Sequence, residues 1–205
     1  MDAATLARCT GARLDRAQLL VGAISAAMAD YDISTPQRQG MFLANVGHET
    51  THLMFLAELG SKDYLMRYEG RADLGNTQLG DGPRYKGRGI LQTTGRANYR
   101  ALTRRLRAKG IDCPDFEAEP ERLELPQWAA LSAGDYVDMR KLNAKADAAD
   151  FLGYCIGING KNKETGLPNG WGERTDLWVA AQKALVVTDA QAKGADSMWG
   201  NEIRR

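Results

Sequence analysis

The 205-residue chain carries 27 Lys and Arg against 26 Asp and Glu, a formal net charge of +1, and is 43% hydrophobic and 26% charged. These proportions exclude disordered and fibrous classes, and a chain of this length can bury roughly 70% of its unfolded surface without disulfides or a structural metal. The balanced charge, with a pI near 7.7, lacks the basic field on which nucleic-acid binding draws, so nucleic acid is not expected as a partner.

The N-terminus has an acid at Asp2 in place of a basic stretch, and no apolar run reaches signal-peptide or bilayer-spanning length. Synthesis in a cytoplasm, without stable membrane insertion, is the expectation. Cys9, Cys113 and Cys155 are odd in number and contain no CxxC pair, which fits reduced, mostly buried thiols better than a disulfide framework or a zinc site.

In chain order, Leu14 to Tyr31 places Leu20, Ile24, Ala27, Met28 and Tyr31 at helical spacing, an amphipathic helix on a core. Thr35-Pro36 reads as an N-cap followed by proline at the first helical position, predicting a second helix from Pro36 to about Thr51 with Met41, Ala44, Asn45 and His48 on one face. Glycines crowd between Gly70 and Gly89, which predicts loop or short strand. Asn98 to Lys109 returns to helix, with Tyr99, Leu102 and Leu106 inward, the arginines outward and Gly110 at the C-cap. Trp128 to Asp147 predicts another helix, Asp150 to Ile158 a buried helix or strand, Asn159 to Trp171 a loop, and Glu173 to Leu185 a last helix. The fold class is mainly α, with irregular loops and at most a small β element. One catalytic domain accounts for the chain: a helical part over 1–34, a core over about 35–187 and a tail over 188–205.

Two chemistries compete for His48-Glu49-Thr50-Thr51-His52. As H-E-x-x-H, two histidines one turn apart on a helix bind zinc and the glutamate acts as general base of a metallopeptidase. These are the only histidines in the chain, so a third ligand would have to be a carboxylate such as Glu69 or Asp73. The alternative is glycosidic-bond cleavage, which needs one carboxyl to protonate the leaving oxygen and a second, ionised, to activate water or attack carbon. Glu49 and Glu58 are the obvious pair. Were Thr35 to Gly60 one helix, nine residues at about 100° each would set them on opposite faces, so the pairing requires the chain to turn between Thr51 and Glu58.

Gly47-His48-Glu49-Thr50-Thr51, then Tyr85 through Tyr99 (YKGRGILQTTGRANY), and finally Ile158-Asn159-Gly160 with Glu173-Arg174-Thr175-Asp176 resemble three ordered blocks of the family 19 glycoside hydrolases, the plant-type chitinases and the phage endolysins built like them. The resemblance spans about Gly40 to Leu185 and implies a lysozyme-like glycosidase that needs no cofactor or metal. Residue by residue, it implies that Glu49 is the general acid and that the Thr94 hydroxyl helps hold the attacking water, with Thr93 one residue away as the alternative. Gln92 and Asn159 would line the sugar groove with amides, and His48, Thr51, Tyr85 and Arg174 would also belong to the substrate site. Glu58 matches the placement of the second carboxylate in phage lysins, and Glu69 is the competing position. The absence of a disulfide framework and of an export signal makes the phage lysins the better match. That implies peptidoglycan as substrate, with chitin as the alternative polymer, and a monomeric enzyme that reaches the wall through a separate membrane-permeabilising protein.

Several features have readings outside this account. Gly80 to Gly89 suggests a phosphate cradle but lacks the lysine and hydroxyl ending of a P-loop. Arg100, Arg104, Arg105, Arg107 and Lys109 could meet an anionic polymer or form the solvated face of a helix. Trp128, Trp171, Trp178 and Trp199 are expected in the core, with Trp171 in its glycine-flanked loop the best exception for stacking on sugar. A non-catalytic wall-binding module is the third class, against which the carboxylate pair argues.

Overall fold

A computed structural model describes the backbone of residues 1–199 and the side chains of residues 1–186. The helices in chain order are α1 (Ala3–Thr10), α2 (Leu14–Asp30), α3 (Pro36–Glu49), α4 (Lys62–Leu65), α5 (Asp81–Arg84), α6 (Arg96–Ala108), α7 (Pro126–Met139), α8 (Leu142–Asp147), α9 (Phe151–Asn159) and α10 (Trp171–Trp199), with short 3-10 turns between several of them. Among the described residues the β content is two isolated antiparallel bridges, Ala57 with Arg88 and Arg88 with Thr93.

Local chemistry sets the boundaries. Asp2 caps α1 by accepting from the Thr5 amide, Thr35 caps α3 by accepting from the Arg38 amide with Pro36 at the first helical position, and Asp150 caps α9 by accepting from the Gly153 amide. That last cap decides between the two readings of 150–158 in favour of helix. The stretch from Trp128 to Asp147 is two helices, not one: Arg140 ends α7, and Lys141 in the left-handed region (φ 55°) turns the chain into α8. α10 runs on past Leu185, and Trp199 lies outside the described side chains.

One continuous core joins α1, α2, α3, α6, α7, α9 and α10. The predicted stripe of α2, with Leu20 and Ile24 fully buried, contributes about 1.5–3 kcal/mol per large side chain removed from water. α3 is the central element: it packs along α10 and against α1, and its residues 40–47 are buried all round. The approach of α10 needs Gly40, because a β-carbon there would sit 2.4 Å from the Trp178 ring. Trp178 and Trp171 pack in turn against Phe151, with ring centroids 5.4 and 5.7 Å apart, and Trp128 packs edge-on to Phe116. Trp171 is therefore held against an aromatic neighbour of its own. The three cysteines are buried and free, and burial pushes the Cys155 thiol up to about 11.

The basic face of α6 is largely neutralised within the protein. Arg100 pairs with Glu117 at 2.6 Å, Arg105 with Asp135 at 2.6 Å and Lys109 with Asp138 at 3.3 Å, while Arg107 donates to the Cys113 carbonyl. At the other end of α6, Arg96 pairs with the buried Asp81, whose carboxylate also accepts from the Gln78 amide. Buried Asn76 links the Arg96 amide to the Tyr68 carbonyl. This network holds the glycine-rich segment 70–95, which is loop apart from one 3-10 turn (Ala72–Leu74) and the single turn of α5, where loop or short strand is expected.

The hydrogen bonds from Arg96 hold the Asp81 carboxyl below its ordinary value of 3.8. A carboxyl depressed in the folded state stabilises above its unfolded value and loses that contribution as pH falls through the folded one. Asp81→Asn is expected to lower stability by about 2 kcal/mol at pH 7, with the difference from the parent shrinking below pH 4. Urea titrations at pH 7 and pH 3 check both the size and the sign.

Candidate active site

The site starts at the C-terminal end of α3. Glu49 is the last helical residue, and its Oε1 accepts from Nη2 of Arg174 in the first turn of α10. Arg174 is fully buried. Its Nη1 donates to Asn45 Oδ1 at 2.5 Å and its Nε to the Asn169 carbonyl at 2.9 Å. A buried guanidinium is tolerated only when its donors are met by oxygens, and here an amide, a backbone carbonyl and the Glu49 carboxylate meet them. Glu49 therefore has an opposite charge in direct contact.

Beyond Glu49 the chain makes the turn that the carboxylate pairing requires. Thr51, His52 and Leu53 stand consecutively in the left-handed region (φ 50°, 57° and 64°), a conformation costing about 1–2 kcal/mol per non-glycine residue. The turn is held from several sides. Thr50 Oγ1 donates to the Val46 carbonyl and accepts from the Leu53 amide, the His52 amide donates to the Gly47 carbonyl, and Arg16 donates to the Leu53 carbonyl. The Leu53 side chain is fully buried. The predicted second helix therefore ends at Glu49, two residues short of Thr51.

The turn delivers residues 56–58 alongside 87–89. The Glu58 amide donates to the Gly87 carbonyl at 2.8 Å, and the Gly89 amide donates to the Leu56 carbonyl at 2.8 Å. Glu58 Oε1 accepts from Arg67 at 2.9 Å and from the Tyr68 hydroxyl at 3.0 Å, and Oε2 accepts from the Gly87 amide at 3.2 Å. Gly87 is also where Gln92 and Thr94 converge: a β-carbon there would lie 2.5 Å from Gln92 Oε1 and 3.2 Å from Thr94 Oγ1. Glu58, Gln92 and Thr94 are thus gathered round one glycine, with Gln92 in the left-handed region of a tight turn closed by the Arg88–Thr93 backbone pair.

The other residues singled out from sequence lie as follows. Glu69 spends both carboxylate oxygens on backbone, accepting from the Gly80 and Gly82 amides at 2.6 and 2.7 Å. Those amides are therefore filled by the protein's own carboxylate, not open as a phosphate cradle. Asp73 pairs with Arg71. Tyr85 is 1% exposed, gives its hydroxyl to the Glu117 carbonyl and packs edge-on to Tyr99, so it supports the wall from within the core. Thr51 is exposed beside Glu49, and Asn159 ends α9 with Oδ1 accepting from the Asn169 amide.

His48 and His52 do not share a helical face, because the helix stops between them. Glu173 bridges them, with Oε2 at 2.5 Å from His48 Nδ1 and Oε1 at 3.1 Å from His52 Nε2, while His52 Nδ1 faces the Thr10 carbonyl at 2.9 Å. Both His52 nitrogens therefore face oxygens of the protein, and Glu49, the base of the zinc reading, is bound to Arg174. Among the described residues no three His, Cys, Asp or Glu side chains are placed to hold a metal ion together. The geometry that H-E-x-x-H presupposes is not formed.

Arg67, Tyr68, a site role for Asn45 and the bridging role of Glu173 are absent from the sequence reading. Asn45 carries a faint signal, since it lies one turn before Glu49 on the predicted inner face. Arg67 and Tyr68 carry none, because a loop brings them to Glu58.

No family model matches the chain. Solved structures are similar to it. Chitinase C from Streptomyces griseus HUT6037 has a TM-score of 0.69 at 23% identity, over 90% of this chain and 76% of that one, and a chitinase C mutant has 0.69 at 22% over the same shares. A bacterial family 19 chitinase reported to differ from plant enzymes has 0.65 at 23%, over 90% of this chain and 94% of that one. The likeness establishes the fold: mainly helical, lysozyme-like and shared with family 19 chitinases.

Removing the cation at the centre of the site should be costly to stability. Arg174→Met is expected to destabilise by roughly 3–5 kcal/mol, because it strips the partner from a half-buried carboxylate and from buried Asn45. A urea midpoint equivalent to less than about 1 kcal/mol would show that the guanidinium does not hold α10 to α3.

Proposed function

We propose that the chain is a glycoside hydrolase cleaving β-1,4 links between amino sugars in bacterial peptidoglycan, as an endolysin of muramidase type does. The observation that carries this reading is the placement of two carboxylates with separate partners: Glu49 on Arg174 at the end of α3, and Glu58 on Arg67, Tyr68 and Gly87 next to Thr94. The fold they stand on belongs, in the solved structures similar to this chain, to proteins described as chitinases.

In this mechanism Glu49 is the acid. Arg174 occupies Oε1, so the proton is carried on Oε2 and passes from there to the glycosidic oxygen as the bond to carbon breaks. Glu58 is the base, its carboxylate held by two N–H donors and a hydroxyl. It takes a proton from water held with the help of Thr94, and that water attacks the far face of the sugar through an oxocarbenium-like transition state with inversion. Gln92 and Asn159 offer amides to hydroxyl and N-acetyl groups, His48 and Thr51 flank the acid, and Tyr85 acts by supporting the wall. Glu69 is engaged by backbone, which favours Glu58 as the base.

The whole chain acts as one catalytic domain, monomeric and recognising polysaccharide through its own groove. Made in a host cytoplasm, it reaches the wall with a separate membrane-permeabilising protein. Three unpaired buried thiols fit that origin. Chitin is the second reading, favoured by the descriptions of the similar structures.

Mass spectrometry of fragments released from purified peptidoglycan and from chitin oligosaccharides tests the proposal. New reducing amino-sugar ends from peptidoglycan are expected; ends from chitin alone would move the reading to a chitinase, and free stem peptides would overturn it. Glu49→Gln and Glu58→Gln should each retain at most about a hundredth of the activity with thermal unfolding little changed. Wild-type turnover in Glu49→Gln would remove the acid from the account.

A further inference from the structure

Asn45 touches neither the surface nor any place a substrate can reach, yet its side chain is tied at both ends. Its Nδ2 donates to the Met41 carbonyl at 2.8 Å one turn back in α3, and its Oδ1 accepts from Arg174 Nη1 at 2.5 Å. The residue is 0% exposed. The Met41 carbonyl can only accept, so it fixes which end of the amide is NH2 and turns Oδ1 toward the guanidinium.

The guanidinium is planar with a rigid fork of donors. Once Nη1 is fixed on Asn45 and Nε on the Asn169 carbonyl, the direction of Nη2 is determined, and it points at Glu49 Oε1. Asn45 and Glu49 stand four residues apart on one helix, so the separation between the amide that aims the arginine and the carboxyl that receives it is set by helical geometry. A neutral amide suits this place. A carboxylate there would compete with Glu49 for the positive charge of Arg174, and an apolar side chain would leave Nη1 without an acceptor.

We propose that Asn45 is a positioning residue for the acid: it orients Arg174 so that the guanidinium occupies Oε1 of Glu49 and leaves Oε2 as the proton-bearing oxygen. The inference rests on the glycosidase reading above. Its consequence is separable from packing, because it acts through one hydrogen-bond acceptor and through the charge of Arg174.

The test compares Asn45→Leu, Asn45→Asp and Arg174→Lys, alone and with Asn45→Leu in the Arg174→Lys background, alongside Glu49→Gln, in the full chain on purified peptidoglycan. Asn45→Leu, close in size but without an acceptor, is expected to lose roughly tenfold to hundredfold in kcat with KM little changed, the scale expected when a reacting group is misplaced by about 1 Å. In the Arg174→Lys background, where the fork is already gone, the same change should cost less than about threefold, as two residues acting through one another are non-additive. Asn45→Asp keeps an acceptor for Arg174 but loses the donor to the Met41 carbonyl and adds an anion, so it should lose less turnover than Asn45→Leu and move the basic limb of the pH–rate profile to higher pH, because an anion sharing Arg174 favours the protonated form of Glu49.

Unchanged kcat in Asn45→Leu, or an equal loss in both backgrounds, overturns the inference. Should Asn45→Leu fail to fold, the limb in Asn45→Asp decides: an upward shift supports the role, and an unmoved limb ends it. An active Glu49→Gln would instead mean that the glycosidase reading itself is wrong. An inactive one with negative Asn45 results would refute the positioning role alone.

Discussion

The structure depends on one buried cation. Arg174 lies with no surface exposure between α3 and α10, and a guanidinium so placed is stable only while oxygens meet its donors. The acceptors supplied here come from the inner face of α3 at Asn45, from the end of α3 at Glu49, and from the loop before α10 at Asn169. Docking α10 onto α3 and aiming the Glu49 carboxyl are therefore one event. Outside it, Glu173 closes the same junction by bridging His48 and His52, and His52 reaches the end of α1.

A second constraint moves the chain from the first carboxylate to the next. Three consecutive left-handed residues without a glycine are unfavourable in isolation, and the buried Leu53 side chain with the Thr50, Gly47 and Arg16 hydrogen bonds offsets that cost. The strain lies between Glu49 and Glu58, where the backbone leaves the helix abruptly. Each carboxylate then meets its own arginine, Glu49 with one that is buried and Glu58 with one that is half exposed, so the two environments differ.

Much of the helical scaffold was legible because it rests on local rules: the stripe of α2, the Thr35-Pro36 start of α3 and the inward Tyr99, Leu102 and Leu106 of α6 all lie where periodicity and capping put them. The break at Lys141 was not, since the cue is a single lysine in a left-handed conformation that most lysines avoid. For the site, sequence singled out Glu49, Glu58 and the Gln92–Thr94 block, and it stated that the chain must turn between Thr51 and Glu58. It could not place the partners that loops supply, Arg67 and Tyr68, nor show that Glu69 is consumed by two backbone amides and Tyr85 by the Glu117 carbonyl. Those facts depend on contacts between residues far apart along the chain, for which a helical or strand period carries no information. The histidine pair shows the reverse hazard: five residues match a zinc motif in spelling, and the helix that would give the spelling meaning ends one residue after His48.

The most direct measurement of the central claim is a crystal structure of Glu49→Gln, expected to retain at most about a hundredth of the activity, bound to an oligosaccharide of alternating amino sugars. The account predicts a scissile oxygen within hydrogen-bond reach of the residue-49 side chain, Glu58 and Thr94 on the opposite face of the adjoining sugar with space for one water, and Arg174 still directed at residue 49. A saccharide seated away from these residues, or a residue-49 side chain turned from the glycosidic oxygen with Arg174 repaired elsewhere, would contradict it.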